Sequence, residues 1–446
     1  MKKNQRSINV AMSNIIEFKN KLPMDQSRKA LFVLGFIFCF ILSIGICVNI
    51  LYLPVITSEL PRIDINAESE INGDDYVNGT LELTDNSHPS NNVDSNEARI
   101  KYRGNVAQYW DKKGYRIELT RPKSLLGMRK DDDWLLLAMY LDFPRMRIKM
   151  SLDLWRSLEE TNPTAILPDS KYVNLYVNGN YRGLYLLAEK NDRRLFGLDN
   201  AQNNVNSSLI FQAKIYTKLK IYQDEKWEQD WPNEDENIEI MDDILYDLIE
   251  YIHYAPDKLF FNETTGIYSL FDKLNLIDFY LYNFFILHKD FWHRNYFIVR
   301  NTYPSKYFLI PWDFDFSFGQ HGWLTFDEDV NDEEDLRKSN YLYDRLINNS
   351  EFRKDCKDRW FYLREELWTN NFLLDMLSEF YEQIKDVLEI EMNILYRPKT
   401  TWHEPKGWPD KFIYSTEEFD LDKYIDHLFK WTEERLDFCD SYFDEF

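Results

Sequence analysis

The sequence predicts an α+β protein of two lobes, β-rich first and helix-rich later, set behind one membrane-spanning helix. Three observations predict this. Residues Ala30 to Ile56 read "ALFVLGFIFCFILSIGICVNILYLPVI" without a charged residue, longer than the ~20 apolar residues a spanning helix needs. Strand-like alternation then dominates as far as Lys190. From Asp242 onward helical patterns take over, interrupted by one short stretch.

The elements follow in order. Residues 1–29 form a basic tail, with Lys2, Lys3, Arg6, Lys19, Lys21, Arg28 and Lys29 all before the apolar run. The far flank begins with Glu59 and a lone Arg62. The positive-inside rule therefore keeps the tail in the cytoplasm and sends residues 57–446 across, with 30–56 as a signal anchor. A cleaved signal peptide fits less well, because the apolar run is long and follows a long polar tail. Beyond the span, "YVNGTLELTD" and "ARIKYRGN" alternate as strands, with an exposed Asp-, Asn- and Ser-rich loop between them. "GYRIEL" puts Tyr115, Ile117 and Leu119 on one face. In "LDFPRMRIKMSLDLWRSLEE", Asp142 is the expected N-cap, and Met146, Met150, Leu154 and Leu158 form a helical stripe. "KYVNLYVNGNYRGLYLLAEK" is a hairpin with Asn178-Gly179 at its turn. The lobes are expected to meet just after it, dividing 57–190 from 191–446.

Within the helical half, "HKDFWHRNYFIVRNTYPSKYFLIPWDFDFSFG" (His288 to Gly319) holds two strands, "YFIVR" and "YFLIP", joined by a turn-forming segment. An antiparallel hairpin brings the start of its first strand beside the end of its second. Asn295 and Asp313 should then be neighbours, with Asp290 on the adjoining loop and Asp315 just beyond. Two carboxylates and an amide oxygen at one edge suit a hard cation such as Mg²⁺. The order is that of a protein-kinase catalytic centre: Asp290 and Asn295 are spaced as its base and metal-binding Asn, and Asp313-Phe314-Asp315 stands where it has Asp-Phe-Gly.

With these residues the sequence resembles the CotH (spore coat protein H-like) atypical protein kinases. The resemblance rests on "RGN" at Arg103–Asn105, "KKGYRIEL" at Lys112–Leu119, "DDDWLLLAMYLD" at Asp131–Asp142, "VNLYVNGNYRGLYLLAEK" at Val173–Lys190, "PWDFDFSFG" at Pro311–Gly319 and "NYLYDRLINNSEFR" at Asn340–Arg353. It implies a divergent two-lobed kinase fold and Mg²⁺- or Mn²⁺-dependent transfer of the ATP γ-phosphate to Ser or Thr hydroxyls of surface or coat proteins. By motif, Asp290 is the expected base, and Asn295, Asp313 and Asp315 the expected metal ligands. Lys113 is the preferred phosphate-binding lysine and Lys112 the alternative, since strand register decides which points inward. Arg147 is a further candidate for phosphate, and Glu189 and Lys190 are expected to border the adenine pocket. The chain departs from the family at Val106 and Ile148, which take the places of a hydroxyl residue and an asparagine, and only Gly104 lies in the expected phosphate turn.

Composition bounds the rest. A formal net charge of −23 argues against a nucleic-acid binder, which needs clustered Lys and Arg. The 29 Tyr, 31 Phe and 13 Trp supply a large core, so wholesale disorder is excluded. Outside the span lie Cys356 and Cys439, whose pairing the sequence leaves open, and sequons begin at Asn78, Asn206, Asn262 and Asn348. Two other readings use the same acids: a catalytically silent binding or assembly protein, and a metal-dependent hydrolase, which the scarcity of histidine around the acids disfavours.

Overall fold

Alternating apolar residues turn the first seven strands into a closed barrel. In the computed structural model these are β1 (Arg62–Ala67), β2 (Val77–Thr84), β3 (Val93–Arg103), β4 (Gly114–Ser124), β5 (Lys130–Leu137), β6 (Ser170–Val177) and β7 (Asn180–Glu189), in the order β1-β2-β3-β4-β5-β7-β6. Neighbours run antiparallel except β6 and β1, whose parallel pairing from Arg62–Asn174 to Ile65–Val177 closes the barrel. Ile63, Ile65, Leu81, Ile100, Ile117, Trp134, Leu136, Val173, Leu175 and Leu187 pack in one buried cluster. Full burial of each such side chain stabilises the fold by about 1.5–3 kcal/mol. Tyr115, Ile117 and Leu119 all face this cluster, as their alternation predicts. The β6–β7 turn is also as expected: Asn178 and Gly179 take φ of 50° and 73°, the left-handed pair a two-residue hairpin needs.

The structure describes residues 58–104, 107–214, 217–233, 238–289, 294–319, 330–333, 340–396 and 420–446. The expected tail 1–29 and span 30–56 lie outside the described residues, as does Asp290. Among the described residues no helix is long and apolar enough to cross a membrane. Residues Glu59 to Phe446 form one unit, β-rich at its start and helical at its end.

A second sheet, absent from the sequence reading except for its hairpin, is built from later parts of the chain. It contains β8 (Leu209–Ala213), β9 (Trp227–Trp231), β10 (Tyr296–Arg300) and β11 (Tyr307–Pro311), ordered β11-β10-β8-β9. The longer helices among the described residues are α1 (Arg147–Arg156), α2 (Ile238–Tyr254), α3 (Lys273–Phe285), α4 (Tyr341–Asn348), α5 (Ser350–Glu366), α6 (Asn370–Ile390) and α7 (Leu421–Asp444). Asp272 caps α3 by accepting from Asn275 N at 2.8 Å. Helix α1 starts at Arg147, so Asp142 is not its N-cap residue; its carboxylate instead reaches the first turn and accepts from Arg147 N at 2.8 Å. Cys356 and Cys439 are buried in α5 and α7 as free thiols.

Candidate functional site

The β10–β11 hairpin positions one wall of the site. Its register pairs Tyr296 with Pro311 and Arg300 with Tyr307, so Asn295 and Trp312 face each other at the open end, where Trp312 N donates to Asn295 O at 2.9 Å. Asp313 follows directly. Helix α3 fixes the hairpin's depth, because the buried Asn275 amide donates to Leu309 O (3.1 Å) and accepts from Leu309 N (2.7 Å). The segment before Asp290 is laced to the one after Asp313. His288 Nε2 lies 2.7 Å from Asp313 O, Lys289 N donates to Phe316 O at 3.0 Å, and Phe318 N donates to Ile286 O at 2.7 Å. Asn295 and Asp313 hold φ of 64° and 61°, and Leu287, Phe318, Met139 and Arg145 are also left-handed. Such strained residues persist only where their surroundings over-determine them. Two of them, Met139 and Asp313, line one cleft.

That cleft, of about 630 Å³, is lined by Arg103, Lys112, Asp313 and Asp315 among apolar neighbours that include Leu137, Tyr140, Ile148 and Leu152. Thus Ile148, one of the departures from the family pattern, is part of the wall. Asp313 is exposed and Asp315 half-buried. Asp315 is pushed up to about 8, first by its recessed position and then by the charges of Asp313 and Asp142, while Arg103 pulls the other way. Burial in turn pulls the Arg103 guanidinium down, against the attraction of Asp313 and Asp315. Among the described residues no group of three or more His, Cys, Asp or Glu side chains forms a metal cluster. The donors that line the cleft are the two carboxylates, while Asn295 lines neither cavity and meets the Asp313 turn through its backbone oxygen. Two mutually repelling carboxylates fit a divalent cation such as Mg²⁺ or Mn²⁺, which takes hard oxygen ligands.

The opposite wall carries a lysine. Lys112, fully buried, meets Glu391 Oε1 at 2.7 Å and also donates to Leu184 O. Arg145 Nε reaches the same carboxylate oxygen at 2.6 Å. Burial pulls the Lys112 ammonium down and Glu391 counters it; burial likewise pushes Glu391 up, yet Lys112 and Arg145 hold it below the usual carboxylate range. Glu391 opens a π-helical turn at the end of α6, 279 residues from its lysine. No local sequence pattern announces the pair, and Arg145 was equally silent. Lys113 does not line this cleft: its ammonium donates to Trp110 O and its carbonyl accepts from Tyr185 at 2.8 Å. The inward lysine is Lys112.

A second cavity, of about 930 Å³, adjoins the first through Arg103 and Trp312, and Leu135, Lys190, Asn191 and Phe297 also line it. Lys190 therefore borders a cavity, with its ammonium 3.6 Å from Asp133. Glu189 lines neither cavity. Its carboxylate accepts from Arg129 N at 2.9 Å and Asp169 N at 3.0 Å, two backbone amides that account for its burial. Arg147 lines neither cavity as well: it is buried, 3.2 Å from Asp142 and 3.3 Å from Phe318 O, and ties α1 to the Asp313 turn. These two side chains hold the frame.

Fold and cleft together define an α+β protein whose β-barrel and second sheet enclose a lysine–glutamate pair opposite an Asp-Phe-Asp turn. A family model described as "CotH kinase protein" matches residues 100–439, a range that holds every residue named in both cavities except Gly73 of the second. The chain belongs to the CotH family. It is also similar to "Inner spore coat protein H" of Bacillus subtilis (strain 168), with 27% identity over 297 residues that cover 64% of this chain and 76% of the relative.

Proposed function

We propose that this protein is a membrane-anchored phosphotransferase that moves the γ-phosphate of ATP to Ser or Thr hydroxyls of surface or coat proteins. One observation carries the reading: Lys112, held by Glu391, is among the residues lining the same cleft as Asp313 and Asp315. Lys112, rather than Lys113, takes the phosphate-facing role, with Arg103 beside it. Asp313, Asp315 and Asn295 hold Mg²⁺ or Mn²⁺, which when bound neutralises phosphate charge. Asp290 follows Lys289, whose amide is tied to the Asp313 turn, and it orients and deprotonates the acceptor hydroxyl. His288 keeps that turn in place through Asp313 O. Lys190 borders the base. Glu189 and Arg147 act through the frame and touch no nucleotide. Residues 30–56 anchor the chain, with the basic tail in the cytoplasm and the CotH domain outside it.

The test is incubation of the full chain with γ-labelled ATP, Mg²⁺ or Mn²⁺, and candidate coat or surface proteins. Label on acceptor hydroxyls, lost on chelation, is the expected result. ATP binding without transfer to any acceptor supports instead a catalytically silent binding module, a reading favoured by a relative named as a coat component. Protease added outside sealed vesicles should digest the chain beyond Ile56 and spare the tail; the reverse pattern overturns the topology.

A further inference from the structure

Glu391 sits where three departures from regular structure meet. It opens the π-helical turn Glu391–Leu395. Strand β7 carries a bulge opposite β6, since Leu175 pairs with Gly183 but Tyr176 with Tyr181, leaving Arg182 over. Gly183 itself is left-handed, at φ 99°. Such π-turns and bulges collect near functional sites, and a glycine inside a strand often marks a close approach of another group. The approaching group is the Glu391 carboxylate. Its Oε2 accepts from Leu184 N at 2.5 Å, while Oε1 takes Lys112 at 2.7 Å and Arg145 at 2.6 Å. A Cβ on Gly183 would stand 2.4 Å from that Oε2 and 3.2 Å from Tyr396 Cε2. The first separation is one that side-chain carbons essentially never show. Glu391 is buried and held by three donors, so it yields only by giving one of them up. Tyr396 covers the same spot. Its hydroxyl donates to Arg182 O at 2.9 Å, and its ring centre lies 5.4 Å from the Lys112 ammonium.

We propose that Gly183 is a positioning residue for phosphate transfer: its bare backbone seats Glu391, and Glu391 so seated sets Lys112 in the lining of the Asp313 cleft. This role rests on the phosphotransferase reading, and Gly183 fills it without touching substrate. With the carboxylate displaced, Lys112 and Arg145 become two buried cations with nothing between them, and their repulsion turns the ammonium out of place. Tyr396 acts on the same seat at one remove, by tying the π-turn to the β7 bulge.

The experiment compares Gly183→Ala with Gly179→Ala by Mg²⁺–ATP calorimetry on the full chain, in the parent and in Lys112→Met. Gly179 is left-handed too, at φ 73°, but nothing lies within 4 Å of a Cβ placed on it. Backbone strain is thus common to both variants, and contact with Glu391 belongs to one. Gly183→Ala should weaken Mg²⁺–ATP binding by about tenfold, the size of one misplaced charge-assisted hydrogen bond. Gly179→Ala should stay within about twofold of the parent. In Lys112→Met, Gly183→Ala should add less than about twofold, because no ammonium is left to place. A purely structural glycine would cost the same in both backgrounds, and that result overturns the positioning role while leaving the phosphotransferase reading standing. Equal losses for the two glycine variants do the same. Should Gly183→Ala not fold, Tyr396→Phe, which adds no atom, decides. Binding about threefold weaker, the worth of one neutral hydrogen bond, supports the seat, and parental affinity overturns it. A parent that binds no Mg²⁺–ATP overturns both the positioning role and the phosphotransferase reading.

Discussion

The two walls of the cleft are built on opposite electrostatic plans. On one, Glu391 is met by Lys112 at 2.7 Å and Arg145 at 2.6 Å, all out of solvent. On the other, Asp313 and Asp315 repel each other at a solvent-reaching edge, with Arg103 drawn to both. The first cluster is satisfied within the protein, and it fixes where a lysine stands. The second carries excess negative charge that a cation would relieve. A protein can keep such an imbalance only where the surrounding framework is strong, and here α3, the hairpin register and His288 supply it.

Breaking the satisfied wall should have the largest effect on stability. Glu391→Ala leaves two buried cations without their shared carboxylate, and loss of one partner from a buried pair destabilises by about 3–5 kcal/mol. Chemical denaturation should register that fall; a variant within ~1 kcal/mol of the parent would make the cluster incidental.

A smaller effect, on binding rather than folding, separates the two lysines. Lys112→Met should weaken Mg²⁺–ATP binding by about 10- to 100-fold, the range for losing a charge-assisted hydrogen bond. Lys113→Ala should change it little, because its ammonium is engaged by Trp110 O. Calorimetry on the two variants checks this, and the opposite ranking would return the phosphate role to Lys113.

The smallest effect carries an unusual sign. Asp315→Asn removes one of two repelling carboxylates, so without metal its melting temperature should equal or exceed the parent's. Added Mg²⁺ should then raise the parent's melting temperature more than the variant's. Equal shifts in both proteins would take Asp315 out of the ion's coordination.

The same comparison explains what could be read in advance. The open end of the hairpin was legible, because "YFIVR", "YFLIP" and the intervening turn residues specify register locally, and register brings Asn295 beside Asp313. The Asn178-Gly179 turn was legible for the same reason. Glu391 was not, since its role depends on a contact spanning most of the chain, and a glutamate ending a helix looks like any solvated residue. Lys112 and Lys113 both precede β4 in an irregular stretch, so strand alternation could not separate them, and it is the fold that puts Lys112 in the cleft lining. Strand β5 was hidden by Asp131, Asp132 and Asp133, which suggest a loop. In the fold Asp131 accepts from the two following amides and pairs with Arg129 and Arg194, which allows acids at the head of a strand. The closing β1–β6 pairing is parallel and remote, and has no sequence signature of its own.

The most direct test of the central claim sets Asp290→Ala beside Asp313→Ala. Calorimetry with Mg²⁺–ATP and a phosphotransfer assay are run on the same proteins. Asp313→Ala should lose both metal-dependent ATP binding and transfer. Asp290→Ala should keep metal–ATP binding but lose transfer by at least ~100-fold, the lower range for a positioned general base. Parental transfer by Asp290→Ala, or undiminished binding and transfer in both variants, would contradict the account.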